Sequence, residues 1–469
     1  MPRPHPPLLP PLLAVACLLL GAGAARGADV AARLDGLLAG VPSGGEAGVV
    51  LLDTSDHQVL YSFAADTPRT LASTTKLLIA CAALLELGPA YEFHTRVLAL
   101  GPLSAGTIPG LGVIGGGSPC LDGHFAEQDP ERFFRAWAEE LKRQGVTRVA
   151  GDLVIDNRLF SGPIRPATYP QDAENQQRWY SAPASAFAWN DNCIEVRVLP
   201  GAAGAPPTVE TRPRSPRIQV RNEARSQPGK DDVAISRDLA SNTVIVRGLC
   251  GRATAWFPLA IQTDPDLLVG DHLKAVLVAN GVAVDGAVRL GAVGAEALPL
   301  IDLRQGLVPA VTLMNQHSQN FFGEQLLRLV AVARGQPGSV DAGRHEVLAA
   351  LAAHAGPGCA DATLLDGSGL SYGNRASPAT MTRLLDAMQQ TPLAQVFADS
   401  LKDRAVGGVR AHVKTGTLAV ACCLVGYLDT PGHRLAFAIL FGKGEAAGFG
   451  WAPKLRDKVL AVMAEAGGK

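Results

Sequence analysis

The sequence predicts a mixed α+β protein, a unit of helices and antiparallel strands interrupted by a long β-rich insertion. Three observations carry this. An almost wholly apolar run over 73–87 stops at Gly88-Pro89, as a helix buried on all sides and ended by a breaker does. Between about residues 95 and 298 the chain turns into short strand-like runs separated by proline, glycine and polar turns. After residue 308 helical patterning returns, followed by three strands and a last helix.

At 469 residues the chain is long enough for two or three domains. Hydrophobic residues make up 47% and charged residues 18%, inside the range of ordinary globular proteins, and glycine and proline recur without a period. With 42 basic and 43 acidic residues the formal charge is -1, so the sequence has no electrostatic footprint for nucleic acid or an anionic membrane surface.

The first segment sets the compartment. Arg3 and His5 precede an apolar run over 8–20 and the small residues Gly21-Ala22-Gly23-Ala24-Ala25, the pattern of a secretory signal. Cleavage after Ala24 fits the small-residue rule, and a site nearer Ala28 is the alternative; the signal is assigned to 1–28. A lipoprotein reading at Cys17 is weaker, because the apolar run continues past it. No later stretch has the ~18 apolar residues of a spanning helix, so no membrane-spanning segment is expected in the mature chain. The expected location is outside the cytoplasm, periplasmic in first place, secreted or wall-associated otherwise. Without Cys17 seven cysteines remain, so at least one thiol is free; their spacing suggests neither a disulfide framework nor zinc, and buried apolar roles are expected.

In chain order, the patterning predicts a helix over 30–38, then strands over 48–52 and 58–63 around the turn Asp53-Thr54-Ser55-Asp56, then the apolar helix from Ser73. The insertion contributes strands at 149–155, 194–199, 218–220 and 243–246. Helices follow at 308–314, 321–332, 346–353 and 377–389, and strands at 410–415, 421–429 and 435–441. A helix over 454–466 closes the chain. No internal repeat is present.

Three short motifs carry chemistry. Ser73-Thr74-Thr75-Lys76 opens the buried helix, and its spacing of three puts both side chains on one face, where Lys76 can take the proton of Ser73. A lysine does this only if its pKa falls towards neutrality, which burial and a second cation, Lys414, would bring about. The helix N-terminus also offers free N–H groups where an acyl oxyanion would form. Ser318-Gln319-Asn320 falls between two helical patterns, where a loop can project Ser318 into a cleft and leave the Asn320 amide for a substrate carbonyl. Lys414-Thr415-Gly416-Thr417 ends a strand; Gly416 lets a substrate backbone approach, an edge there would hold a peptide by β-addition, and Thr417 N–H would join that of Ser73 as oxyanion donor. Alone, each motif reads as a cap, a turn or a surface lysine. Together, in this order and on helix, loop and strand, they read as a serine acyl-transfer centre.

The chain resembles the DacB-type low-molecular-mass penicillin-binding proteins, D-Ala-D-Ala carboxypeptidases and endopeptidases with two extra domains between the first two motifs. The 245-residue gap from Ser73 to Ser318 suits that insertion. Further markers are Gly115-Gly116-Gly117-Ser118-Pro119, Gly151-Asp152-Leu153-Val154-Ile155-Asp156, Tyr180-Ser181-Ala182-Pro183, Glu324-Gln325-Leu326-Leu327 and Asp366-Gly367-Ser368-Gly369-Leu370-Ser371. The resemblance implies an α/β sandwich of the serine β-lactamase/transpeptidase type formed by 29–95 and 299–469. The inserted region is 96–298, as an outer β-rich domain (96–205 and 262–298) and a nested one (206–261). It implies Ser73 as acylated nucleophile, Lys76 as base, Ser318 and Lys414 as proton relay, and Asn320, Thr415, Gly416 and Thr417 as substrate contacts, with no cofactor or metal. Expected partners are peptidoglycan stem peptides, with β-lactams as covalent inhibitors. An acidic insert residue holds a stem amine in such enzymes; near that place stand Glu174 and Asn175.

Rival readings have less behind them. Gly110 to Gly115 matches G-x-G-x-x-G but follows Pro109 with no βαβ unit around it. His345-Glu346 lacks the second histidine of a zinc protease, and no G-x-S-x-G elbow is present. A serine β-lactamase shares the acylation machinery, and a non-catalytic peptidoglycan or β-lactam binding module would share the fold.

Overall fold

The computed structural model describes residues 29–443 and 448–466. The expected signal at 1–28, with Cys17, lies outside the described residues. A six-stranded antiparallel sheet organises the two ends of the chain, in the spatial order Val59–Phe63, Gly45–Asp53, His433–Lys443, Ala421–Thr430, Val409–Leu418, Lys402–Val406. Alternation along its strands sends successive side chains to opposite faces. Leu424, Phe437 and Ile439 meet the helices 29–38 and Ala452–Ala466 on one face. Val425, Ala438 and Leu440 join a second core on the other face with Leu77, Leu78, Phe322 and Leu326. The sheet is thus covered on both sides.

The second core surrounds the helix Thr75–Leu87, whose residues from Thr75 to Leu84 are all buried. Its neighbours are Leu307–His317, Asn320–Ala333 and Val340–Ala355.

The chain enters and leaves the insertion on one antiparallel ribbon. Glu92–Ala99 pairs with Leu298–Gly306 from Ala99 opposite Leu298 to Glu92 opposite Gly306, and both strands belong to a five-stranded sheet completed by Leu111–Ile114, Leu153–Asp156 and Val288–Leu290. A smaller sheet sets Cys193–Leu199 between Thr208–Arg212 and Phe257–Ala260. We therefore propose that the insertion spans 92–306 and that its nested unit begins at residue 193 instead of 206.

The insertion is less purely β than expected. Two helices, Arg132–Arg143 and Pro265–Ala279, pack on its larger sheet. In the first, Phe134, Trp137, Ala138 and Leu141 line one face, a helical spacing hidden among strand-like neighbours. The expected strand 149–155 divides into Arg148–Val149 and Leu153–Asp156, in different sheets. The strand expected at 218–220 lies at Val220–Asn222. All seven described cysteines are free and buried. Among the described residues no helix is long and apolar enough to cross a membrane.

Candidate active site

Ser73 sits in a 3-10 turn, Ala72–Thr74, that runs straight into the helix Thr75–Leu87. Lys76, one turn on, therefore points where Ser73 points, and it is completely buried. Its Nζ donates to Ser73 Oγ at 3.2 Å, to Asn320 Oδ1 at 2.7 Å and to the main-chain carbonyl of Ser368. Burial pushes the ammonium down to about 7, against the opposing pull of Asp366 and Glu324.

Ser318 closes the helix Leu307–His317 in the left-handed conformation, φ 59°, and Gln319 caps the next helix, Asn320–Ala333. This sharp turn aims the Ser318 hydroxyl at Lys414, whose Nζ donates to Ser318 Oγ at 2.9 Å and to its neighbour's carbonyl, Thr415 O, at 2.9 Å. Burial, and then the charge of Lys76, hold Lys414 well below the usual lysine range. Asn320 spans the centre, its Oδ1 accepting from Lys76 and its Nδ2 donating to Tyr180 O at 2.9 Å. Ser73, Lys76, Ser318, Asn320 and Lys414 thus come together from three parts of the chain.

Thr415, Gly416 and Thr417 lie on the strand Val409–Leu418, an inner strand over its first half. Its outer partner ends where Lys402 faces Val413, while its inner partner continues to Leu418, so 414–418 presents a free edge. Thr415 and Thr417 are exposed there. A Cβ on Gly416 would stand 2.6 Å from Leu71 O and 3.2 Å from Ser73 N, so glycine lets the strand touch the Ser73 turn.

Glu174 and Asn175 stand apart, on the short helix Ala173–Gln177. Glu174 is exposed and pairs with Arg178 at 2.7 Å. Asn175 Oδ1 accepts from Tyr180 Oη at 2.7 Å, and so touches the centre only through Tyr180.

Beneath Lys76 lies a buried acid network for which the sequence offered markers but no roles. Glu324 Oε1 accepts from Tyr169 Oη at 3.0 Å, Gly367 N at 2.9 Å and Ser368 N at 3.1 Å. Asp366 binds Ser368 N, Gly369 N and Ser371 N and holds the turn that presents the Ser368 carbonyl to Lys76. Burial and Asp366 raise the Glu324 carboxyl, and Arg328, itself buried, opposes them at 3.2 Å. Arg328→Met strips Glu324 of its counter-ion, and a loss of about 3–5 kcal/mol in urea unfolding is expected. Tyr180 and Ser368 stood in marker runs, but their roles did not show because both act through main-chain oxygens, which no side-chain pattern marks; Tyr169 lay in no marker.

The family model of D-Ala-D-Ala carboxypeptidase 3 (S13) matches residues 30–450 of this chain. A D-alanyl-D-alanine carboxypeptidase of Actinomadura sp. is 31% identical, over 92% of this chain and 85% of that protein. Among solved structures, penicillin-binding protein 4 (dacB) from Haemophilus influenzae superposes with a TM-score of 0.74 at 22% identity, covering 92% of this chain and 99% of that one. A penicillin G acylated predatory endopeptidase from Bdellovibrio bacteriovorus, in complex with an immunity protein, reaches 0.51 at 14% identity, covering 90% and 93%. Both structures share the fold.

Proposed function

The chain belongs to the D-Ala-D-Ala carboxypeptidase 3 (S13) family, and from that premise we propose a serine-type peptidase of peptidoglycan stem peptides and cross-links that works through an acyl-Ser73 intermediate. The observation that carries this reading is the set of Lys76 partners. A neutral amine has two N–H donors and one lone pair. Donating to Asn320 Oδ1 and Ser368 O occupies both protons and turns the lone pair towards Ser73 Oγ at 3.2 Å. An ammonium held down to about 7 provides that neutral amine at ordinary pH.

In the acylation step Lys76 Nζ takes the Ser73 proton as Oγ bonds to the carbonyl carbon of the penultimate D-alanine. The main-chain N–H groups of Ser73 and Thr417 receive the oxyanion. Collapse breaks the peptide C–N bond, and the departing amine takes the hydroxyl proton of Ser318; the proton that Lys76 took from Ser73 passes by way of Lys414 to restore the Ser318 hydroxyl, which leaves Lys76 neutral once more. Water then opens the ester with Lys76 again as base. Asn320 and the free edge at 414–418 hold the peptide, with Thr415, Gly416 and Thr417 along it. A D-alanine leaving group makes the reaction a carboxypeptidase step and a cross-linked amine makes it an endopeptidase step. A β-lactam acylates Ser73 by the same route, as penicillin G acylates the Bdellovibrio endopeptidase. Such substrates place the enzyme outside the cytoplasm, in keeping with the signal pattern at 1–28.

Intact-mass analysis of the mature protein after exposure to a β-lactam, with peptide mapping, tests this. A lasting adduct on the peptide containing Ser73, with release of D-alanine from a synthetic stem pentapeptide, is expected. Rapid β-lactam hydrolysis without D-alanine release would favour a β-lactamase, and no adduct with no turnover a binding module.

A further inference from the structure

A cavity of about 220 Å³ opens in the insertion, walled in part by Arg165, Tyr169, Gln171, Gln176, Ser181 and Gln262. No carboxylate lines it, and neither does any of Ser73, Lys76, Ser318, Asn320 or Lys414. It is tied to the acylation centre at one remove. Tyr169 Oη donates to Glu324 Oε1 at 3.0 Å, and Ser181 follows Tyr180, whose carbonyl receives Asn320.

The wall carries positive charge that has no ion-pair partner among the described residues. Arg165 donates only to neutral oxygens: Nε to Ser181 O at 2.7 Å, Nη2 to Ile261 O, and Nη1 to Gln262 O at 3.2 Å and Gln262 Oε1 at 3.4 Å. Arg237, 3% exposed, stands behind Gln176, whose carbonyl accepts from its Nη2 at 3.1 Å. Its Nη1 goes to the main-chain carbonyls of Asp238 and Ser241, and its Nε is sealed from solvent without a partner. Burial pulls each guanidinium down to about 10; the charge of Arg237 adds to the fall at Arg165, and Asp238 opposes it at Arg237. Two cations withdrawn from water without a counter-ion repel each other and stay poorly solvated, and an anion relieves both costs.

Donors for such a ligand are in place. Ser181 is 2% exposed, and its Oγ is sealed from solvent with no hydrogen-bond partner, although a hydroxyl can both donate and accept. Gln262 Oε1, a neutral amide oxygen at 3.4 Å from Arg165 Nη1, lies at the outer limit of a hydrogen bond. An oxyanion oxygen in its place would make a shorter, charge-assisted contact. The planar fork of an arginine fits the oxygens of carboxylate and phosphate alike. A water molecule takes about 30 Å³ of liquid, so the cavity has room for a compact group and none for a glycan strand.

We propose that this cavity binds a compact oxyanion, a phosphate or carboxylate group, on the Arg165 guanidinium and the Ser181 hydroxyl, with Gln262 Oε1 yielding its position. Arg237 adds charge from behind Gln176 without touching the ligand. The site is separate from the acylation centre, and the proposal does not depend on the peptidase reading.

The test is isothermal titration calorimetry on the mature chain with inorganic phosphate and, separately, with acetate, the ionic strength held constant with chloride. Saturable binding of at least one of them is expected, with a Kd of about 1 mM or tighter. Phosphate alone assigns the site to a phosphoryl group and acetate alone to a carboxylate; either upholds it. Ser181→Ala breaks no side-chain hydrogen bond of the folded protein, and it is expected to weaken binding about tenfold by removing a charge-assisted donor. Gln262→Glu sets a carboxylate against Arg165, so it is expected to abolish binding and to raise the midpoint of thermal unfolding by supplying the counter-ion from within. No saturable binding of either anion, or binding that both substitutions leave unchanged, overturns the site.

Discussion

Lys76→Met is expected to slow acylation of Ser73 between about 10²- and 10⁴-fold, the range a positioned general base supplies. Methionine is one heavy atom shorter and fills most of the same enclosed space, so the change removes the amine and little else. The native enzyme has a second signature. Only the neutral amine can accept the Ser73 proton, so acylation should rise about tenfold per pH unit below 7 and level off above it, following the ammonium pushed down to about 7. In Lys76→Met that rise should vanish, leaving a flat profile over the same window. Stopped-flow acylation by a chromogenic β-lactam, from pH 5 to 9, gives both quantities. A profile that still bends near 7 in the variant would move the base to another group.

Gly369→Ala should do comparable damage by another route. Gly369 has φ 82°, and a Cβ there would lie 1.9 Å from Ala72 O and 3.0 Å from Ser73 N. An L-residue pays roughly 1–2 kcal/mol for the left-handed conformation alone. The contact adds to that, because it meets the backbone of the turn that carries Ser73 and no rotamer relieves it. A loss of about 3 kcal/mol or more in stability is expected, with acylation at least about 100-fold slower as the Ser73 turn shifts from Lys76. Gly356→Ala is the control. Gly356 has φ 94° but nothing within 4 Å, so strain alone should appear, with acylation unchanged. Thermal unfolding and acylation rates of the two variants separate strain from displacement.

What the sequence made legible follows from where each signal lies. The Ser73 helix could be read because every residue from Thr75 to Leu84 is buried, and a fully enclosed helix leaves a continuous apolar run. The three last strands were legible because both faces of their sheet are covered, and a glycine-bearing turn breaks the run. Helix Pro265–Ala279 was not, since Gly270, Asp271, His272 and Lys274 cut its apolar run into short pieces and it sits among strands. At the site, Ser73, Lys76, Ser318, Asn320 and Lys414 were found as motif side chains. The Ser368 carbonyl was not, because main-chain oxygens are the same in every residue; only the tightly folded 366–371 segment brings that one to Lys76. Glu174 looked apt by charge, but Arg178 one helical turn later already claims it.

The ribbon joining the insertion to the rest of the chain has a further consequence. Because Ala99 faces Leu298 across a ladder, the host polypeptide experiences some two hundred residues as the tip of a hairpin. Closing the host fold therefore demands little of the entropy that a free loop of that length would forfeit. A second anchorage is separate from the ribbon in sequence, where Tyr180 O receives Asn320 and Tyr169 Oη reaches Glu324. A body fixed at two separated points cannot swing as a flap does. The insertion is then part of the frame of the site, and trimming that segment back to a short turn would leave the Asn320 amide and the Glu324 carboxylate without the partners that aim them.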